Sequence, residues 1–327
     1  MTEFRCQFAR YMEDMLELRS ALGYSRNTYL PRLRRLDSFI AANFGECEFF
    51  SEDIVLGFIR SGARDGDPST GAKGRAGISR IFGEYLRSVG CDAYVLPKNF
   101  TVRKTKHEPY MMTDSELSAF FNEVDKISNS ERDNMKRSTA AVMLRLIYTC
   151  GLRPGEGLRL KTKNVNIDTG EILVTETKLK KERIVVMHDD MKHLMRRYAM
   201  KVVLSGRDNT FFFPDQNGQS YMTTWLDNIV KTCYERSHSD IDRKLLPHVR
   251  TYDLRHRFAS AALCRWLDEG RNLYNMLPYL RVYMGHKTLA QTAYYIHLLP
   301  ENLLKSKGIE WDRLNDVIPE AEEEWED

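Results

Sequence analysis

The chain has 327 residues, 42% of them hydrophobic and 29% charged, an ordinary balance for a globular protein with room for two domains and possibly a third. No stretch of about 18 consecutive apolar residues occurs, so no membrane-spanning helix is predicted, and acids scattered through Met1–Met15 argue against a secretory signal. The net charge of +3 hides an asymmetry: Trp311 to Asp327 holds eight acids and one base, a net of −7, which leaves residues 1–310 at +10. A basic body with an acidic tail is compatible with a polyanionic partner. The six cysteines (Cys6, Cys47, Cys91, Cys150, Cys233 and Cys264) form no C-x-x-C pair. That argues against a zinc ribbon or redox dithiol and suits a reducing, cytoplasmic location.

No repeat of 20–50 residues is present, which excludes a solenoid. The first 96 residues read as a helical domain. Phe4, Phe8, Met12, Met15 and Leu16 keep helical spacing up to a stop at Gly23. Ser25 or Thr28 caps a second helix through Leu30, Leu33, Leu36 and Ile40, with Pro31 expected in or near its first turn, where a missing N–H is tolerated. Ser51 starts a third helix through Ile54, Leu56 and Phe58. A fourth carries Ile78, Ile81, Phe82 and Leu86 and ends by Gly90.

Residues 97–112 read as a linker containing Thr101-Val102-Arg103-Lys104-Thr105-Lys106-His107. This is either a solvated hinge or a basic strap on a phosphate backbone. A second domain, 113–327, opens with the capping box Thr113…Glu116. An apolar helix follows over 136–150. Two β-branched runs, Glu171–Thr175 and Arg183–Met187, then flank the lysine-bearing turn Thr177-Lys178-Leu179-Lys180-Lys181, and the remainder is again mainly helical. The expected class is mainly α with a small antiparallel β-sheet.

Four segments carry candidate chemistry: Gly151-Leu152-Arg153-Pro154-Gly155-Glu156, the Lys178 turn, Tyr252-Asp253-Leu254-Arg255-His256, and Met284-Gly285-His286 with Tyr294-Tyr295 following. Taken singly, each has a plain structural reading: an ion pair, a solvated turn, a core histidine, a packed tyrosine. In this order and spacing they resemble the catalytic domain of the tyrosine recombinase (phage-integrase) family over about residues 113–300. That family pairs an Arg in G-L-R-x-x-E with a hairpin Lys in T-K-x-x-K-x-R, then H-x-L-R-H, L-G-H, and a Tyr about nine residues later. The resemblance extends more loosely to Ser25-Arg26-Asn27-Thr28 and the Arg-rich helix after it, which are similar to the family's N-terminal core-binding domain.

The resemblance implies catalytic roles for Arg153, Lys178, Tyr252, Arg255, His286 and Tyr295, with Glu156 and His256 behind them. The residue types fit phosphodiester cleavage. Arg153 and Arg255 can fork onto non-bridging oxygens, and His286 can add a hydrogen bond there, as preorganised charge stabilisation. Lys178 can protonate the leaving 5′-oxygen. Tyr295 can hold the phosphate covalently, so that rejoining needs neither ATP nor metal; no cofactor is expected. Tyr252 departs from the pattern, because the family usually has His there; either Tyr252 orients the phosphate, or His256 or a water takes over the proton. Tyr294 is expected on another helical face.

The resemblance further implies double-stranded DNA as partner and a homotetramer assembled on it. The two domains would clamp the duplex, Arg26, Arg32, Arg34, Arg35, Arg103, Lys104 and Lys106 would meet its backbone, and the acidic tail 311–327 would contact a neighbouring protomer. A type IB topoisomerase-like relaxing enzyme and a catalytically idle DNA-binding regulator are the alternatives.

Overall fold

In the computed structural model the described residues are 4–45, 47–61, 71–100, 109–128, 134–175, 182–206 and 210–299. Lys178, Lys180, Lys181, Arg103, Lys104, Lys106 and the tail 311–327 lie outside them. The chain divides into two compact units, Met1–His107 and Glu108–Asp327.

In the first unit, helix α1 spans Ala9–Ala21, later than the apolar spacing predicts. Phe4 and Phe8 are buried but precede the helix. The reason is nonlocal: the buried Asp37 carboxylate accepts from the backbone N–H groups of Arg5 and Cys6, both at 2.8 Å, and fixes that segment outside the helical ladder. Helix α2 spans Arg26–Asn43 with Ser25 at its N-cap, so Pro31 falls in the second turn rather than the first. There it removes one ladder donor, which the packing of the buried Leu33, Leu36 and Ile40 outweighs. Helix α3 spans Glu52–Arg60, and Ser51 Oγ accepts from the Ile54 N–H as expected. Such a cap contributes about 1 kcal/mol. Helix α4 (Ala72–Ser88) completes the core through Ile78, Phe82 and Leu86. Phe8, Phe50 and Phe82 meet edge-to-face at its centre, with centroids 5.3–6.2 Å apart.

The second unit begins at α5 (Asp114–Ser128), where the capping box forms as read: Glu116 N–H donates to Thr113 Oγ1 and Thr113 N–H to Glu116 Oε2. Helix α6 (Asn134–Cys150) is buried over most of its length from Ser138 onward and packs against α5, against α8 (Asp189–Leu204) and against α10 (Thr251–Asp268). After α6 come the short α7 (Pro154–Leu158) and a three-stranded antiparallel sheet in the order β1 (Val165–Asn166), β2 (Glu171–Val174), β3 (Arg183–Val186). Ile172 pairs with Val185, both buried, while Ile184 and Val186 face outward, the alternation a half-buried strand requires. β1 was not legible because two residues leave no period. Helices α9 (Thr223–Ser237), α11 (Leu273–Met284) and α12 (Ala290–Ala293) follow, and a 3₁₀ turn, Tyr294–Leu298, ends the described chain. No described helix is long and apolar enough to cross a membrane.

Candidate active site

Two glycines with left-handed backbone shape the site. Gly151 has φ +61°, and a Cβ there would lie 2.5 Å from the Phe258 ring. Gly285 has φ +65°, and a Cβ would lie 3.0 Å from Arg183 Nη1. Only glycine satisfies both demands at once. The bends aim their carbonyls inward. Arg255 on α10 is fully buried and donates through Nη1 to the Gly151 carbonyl and through Nη2 to the Met284 carbonyl, each at 2.5 Å. Arg153 donates through Nη2 to the Gly285 carbonyl at 2.8 Å. The two guanidiniums from distant sequence segments are thus held by the same pair of loops.

Glu156 is the anion that allows the arginines to gather. It sits at the third position of α7, where one oxygen caps the Arg153 N–H at 2.9 Å and the other accepts from Arg153 Nη1 at 2.8 Å. Arg183 on β3 then grips it with both fork nitrogens, at 3.0 and 2.7 Å. Burial alone would raise the Glu156 pKa. The hydrogen bonds and charge of Arg183, joined by the charges of Arg255 and Arg153, overcome it and hold the carboxyl at about 2. Arg183 was missed as a site residue. Its signal was present, since it is the final Arg of the T-K-x-x-K-x-R run, but a strand arginine gives no hint that it turns inward. Its Nε also donates to the Tyr283 carbonyl, fastening β3 to the end of α11.

His286 follows Gly285. Its Nε2 lies 3.2 Å from Arg255 Nη2, which can only donate, and its Nδ1 lies 2.9 Å from Thr292 Oγ1. This network assigns the proton to Nδ1. Burial, then the positive charges of Arg255, Arg153 and Arg183, pushes the imidazole down to about 2, so it is neutral. Tyr295 is 3% exposed, with its ring stacked on His286 at 5.8 Å and its hydroxyl 3.1 Å from His256 Nδ1. Burial raises its phenol well above the ordinary value, a shift Arg255 opposes only in part. Tyr294 is partly buried and meets Tyr295 edge-to-face. Tyr252 is half-buried, beside Arg153 and Arg255 and against the His256 ring.

The structure therefore brings Arg153, Glu156, Tyr252, Arg255, His256, His286 and Tyr295 together. Within this group the Arg255 Nε is buried without a partner, a donor left over for an anion. Arg153 keeps a side chain 27% exposed and offers the open approach. Among the described residues no cluster of three His, Cys, Asp or Glu side chains is arranged to hold a metal. In the first unit, Arg26, Arg32, Arg34 and Arg35 are all exposed along α2, while Leu33, Leu36 and Ile40 are buried.

Known proteins resemble this chain. The phage integrase family profile aligns with residues 111–302, more than half of the chain. A protein described as an integrase or recombinase, y4rE of Sinorhizobium fredii, is 28% identical over 303 residues, covering 90% of this chain and 93% of that one. The tyrosine recombinase XerD of Haemophilus influenzae is 32% identical over 165 residues, about half of each chain (49% and 50%). Among solved structures, the XerH site-specific recombinase bound to its palindromic difH substrate after cleavage aligns with a TM-score of 0.61 at 21% identity, over 89% of this chain and 82% of the other. At that identity the likeness is one of fold. The family match over the second unit, on a chain whose arginines, histidines and tyrosine converge as described, leads to one conclusion: the chain belongs to the phage integrase family of tyrosine recombinases.

Proposed function

We propose that the protein is a site-specific recombinase that cleaves and rejoins DNA strands through a 3′-phosphotyrosyl link at Tyr295. The observation that carries this reading is the convergence of Arg153, Arg255, His286 and Tyr295, from four separate segments, around one buried hydroxyl. Arg153 and the unpaired Nε of Arg255 would bind the non-bridging oxygens as charge develops on phosphorus. His286 aims Arg255, and Thr292 fixes the tautomer that lets it do so. Burial, with the arginine charges, keeps His286 neutral in this role.

Attack by the Tyr295 oxygen forms the O–P bond and breaks the bond to the 5′-oxygen, which takes a proton from Lys178. The arginines supply the charge a metal would otherwise bring, and the covalent link keeps the bond energy, so neither metal nor ATP is needed. Arg26, Arg32, Arg34 and Arg35, with Arg103, Lys104 and Lys106, would bind backbone phosphates and make affinity strongly salt-dependent. Double-stranded DNA is the partner. Exchange between two duplexes calls for a tetramer, with the tail 311–327 reaching a neighbouring protomer.

The test is covalent capture. The protein is incubated with a randomised duplex library, and DNA that stays attached under denaturing conditions is sequenced. A recurrent site among the captured molecules supports the reading, and no covalent DNA from any library defeats it.

A further inference from the structure

Four groups surround the Tyr295 hydroxyl, and they differ in what they can do with its proton. Arg255 lies beside it but has no lone pair to give. The nitrogens of His286 face Arg255 and Thr292, and its ring lies parallel to Tyr295, at an interplanar angle of 17°. Tyr252 carries a hydroxyl of its own rather than a ring nitrogen, and stands beside Arg153. His256 alone among these directs a ring nitrogen at the hydroxyl, with Nδ1 at 3.1 Å.

We propose that His256 is a catalytic residue of the cleavage step, the base that takes the Tyr295 proton. The proposal rests on the reading of Tyr295 as nucleophile. As the Tyr295 oxygen bonds to phosphorus, its proton passes to His256 Nδ1. The P–O5′ bond breaks, and the leaving oxygen takes its proton from Lys178. In rejoining, a 5′-hydroxyl attacks the phosphotyrosine as Lys178 takes back its proton, and His256 returns the other proton to the departing phenolate, so protons and electron pairs balance.

The fold explains how the imidazole is held. His256 follows Arg255 on α10 by one residue, about 100° around the helix, so Arg255 faces the carbonyl loops while His256 faces the 3₁₀ turn carrying Tyr295. Tyr252 lies one helical turn before it, and the two rings meet at 5.0 Å with a 56° tilt. Imidazole is the side chain whose ordinary titration lies near neutrality, which suits reversible proton transfer. Burial raises the phenol of Tyr295, so without a contacting base it would stay protonated at neutral pH. Proton transfer places a cation near Arg255, Arg153 and the neutral His286. The negative phosphate of the substrate offsets that charge.

The experiment uses the full chain and a nicked duplex carrying the site recovered by covalent capture with the wild-type protein. His256→Asn keeps an acceptor oxygen near the Nδ1 position but cannot hold the proton. Its single-turnover cleavage should fall about 10²- to 10³-fold, within the usual range for a lost general base, with DNA binding close to wild type. Replacing Tyr295 by a fluorinated tyrosine with a more acidic phenol should restore at least about tenfold of that loss, because an acidic phenol depends less on a base. A variant that cleaves at the wild-type rate overturns the proposal. So does a loss that fluorination does not ease, or equal losses of binding and cleavage in both His256→Asn and His256→Gln, since His256 would then only hold the fold. These outcomes are distinct from failure of the phosphotyrosyl reading, in which the wild-type protein itself captures no DNA.

Discussion

Replacing Glu156 by Gln should destabilise the second unit by about 3 kcal/mol at pH 7. The carboxyl side chain is 5% exposed and sits among three guanidiniums: Arg183 at 2.7 Å, Arg153 at 2.8 Å and Arg255 at 4.0 Å. A carboxyl moved from its ordinary 4.5 down to about 2 is stabilised as an anion by about 3 kcal/mol. A second argument gives a similar figure: Gln would leave Arg183 and Arg255 buried without their counter-charge, and breaking a buried pair typically costs about 3–5 kcal/mol. Because the folded pKa is depressed, the contribution is complete above pH 4.5 and is lost as pH falls toward 2. The gap between wild type and Glu156→Gln should therefore be full at pH 7 and clearly smaller at pH 3. His286, neutral and buried, adds acid lability of its own below its ordinary 6.5, but equally in both proteins. Urea unfolding followed by tryptophan fluorescence reads this unit directly, since all four tryptophans (Trp225, Trp266, Trp311 and Trp325) belong to it. A gap below about 1 kcal/mol at pH 7, or one as large at pH 3 as at pH 7, would refute the placement of Glu156 as the anion that gathers the arginines.

Arg153→Lys and Arg255→Lys keep charge but lose the planar fork, and each should lower single-turnover cleavage by about 10²-fold or more while DNA binding in a gel-shift assay changes little. Gly285→Ala imposes a left-handed backbone on a residue with a Cβ and crowds Arg183. It should cost at least about 1–2 kcal/mol in the same urea assay, and an unchanged midpoint would contradict the bend described. A substrate with sulfur at the 5′-bridging position leaves without needing a proton, so it should rescue cleavage by Lys178→Ala but not by Tyr295→Phe; no rescue removes Lys178 from the acid role.

Much of the site was legible because it follows from short local patterns. Glycine before an arginine, a carboxylate three residues after it and a tyrosine nine residues past a histidine can all be read along the chain. The capping box at Thr113 and the helix through residues 136–150 were legible for the same reason. What was hidden depends on contacts between distant segments. Asp37 holds the backbone of Arg5 and Cys6 out of α1, and nothing near Phe4 announces it. Arg183 sits on a strand whose sequence suggests an exposed hairpin, and its inward turn becomes necessary only because Glu156 lies 27 residues earlier in the chain. The partnership of His256 with Tyr295 spans 39 residues, from a helix to a 3₁₀ turn, so sequence left it as one option beside Tyr252 and a water.

The central claim is that Tyr295 carries the DNA, and mass spectrometry of the captured adduct tests it most directly. After nuclease and trypsin treatment the peptide following Lys287 contains both Tyr294 and Tyr295, and fragmentation assigns the nucleotide to one of them. The account predicts a 3′-linked nucleotide on Tyr295 and no adduct from Tyr295→Phe. A nucleotide on Tyr294, or an adduct of undiminished yield from Tyr295→Phe, would contradict it.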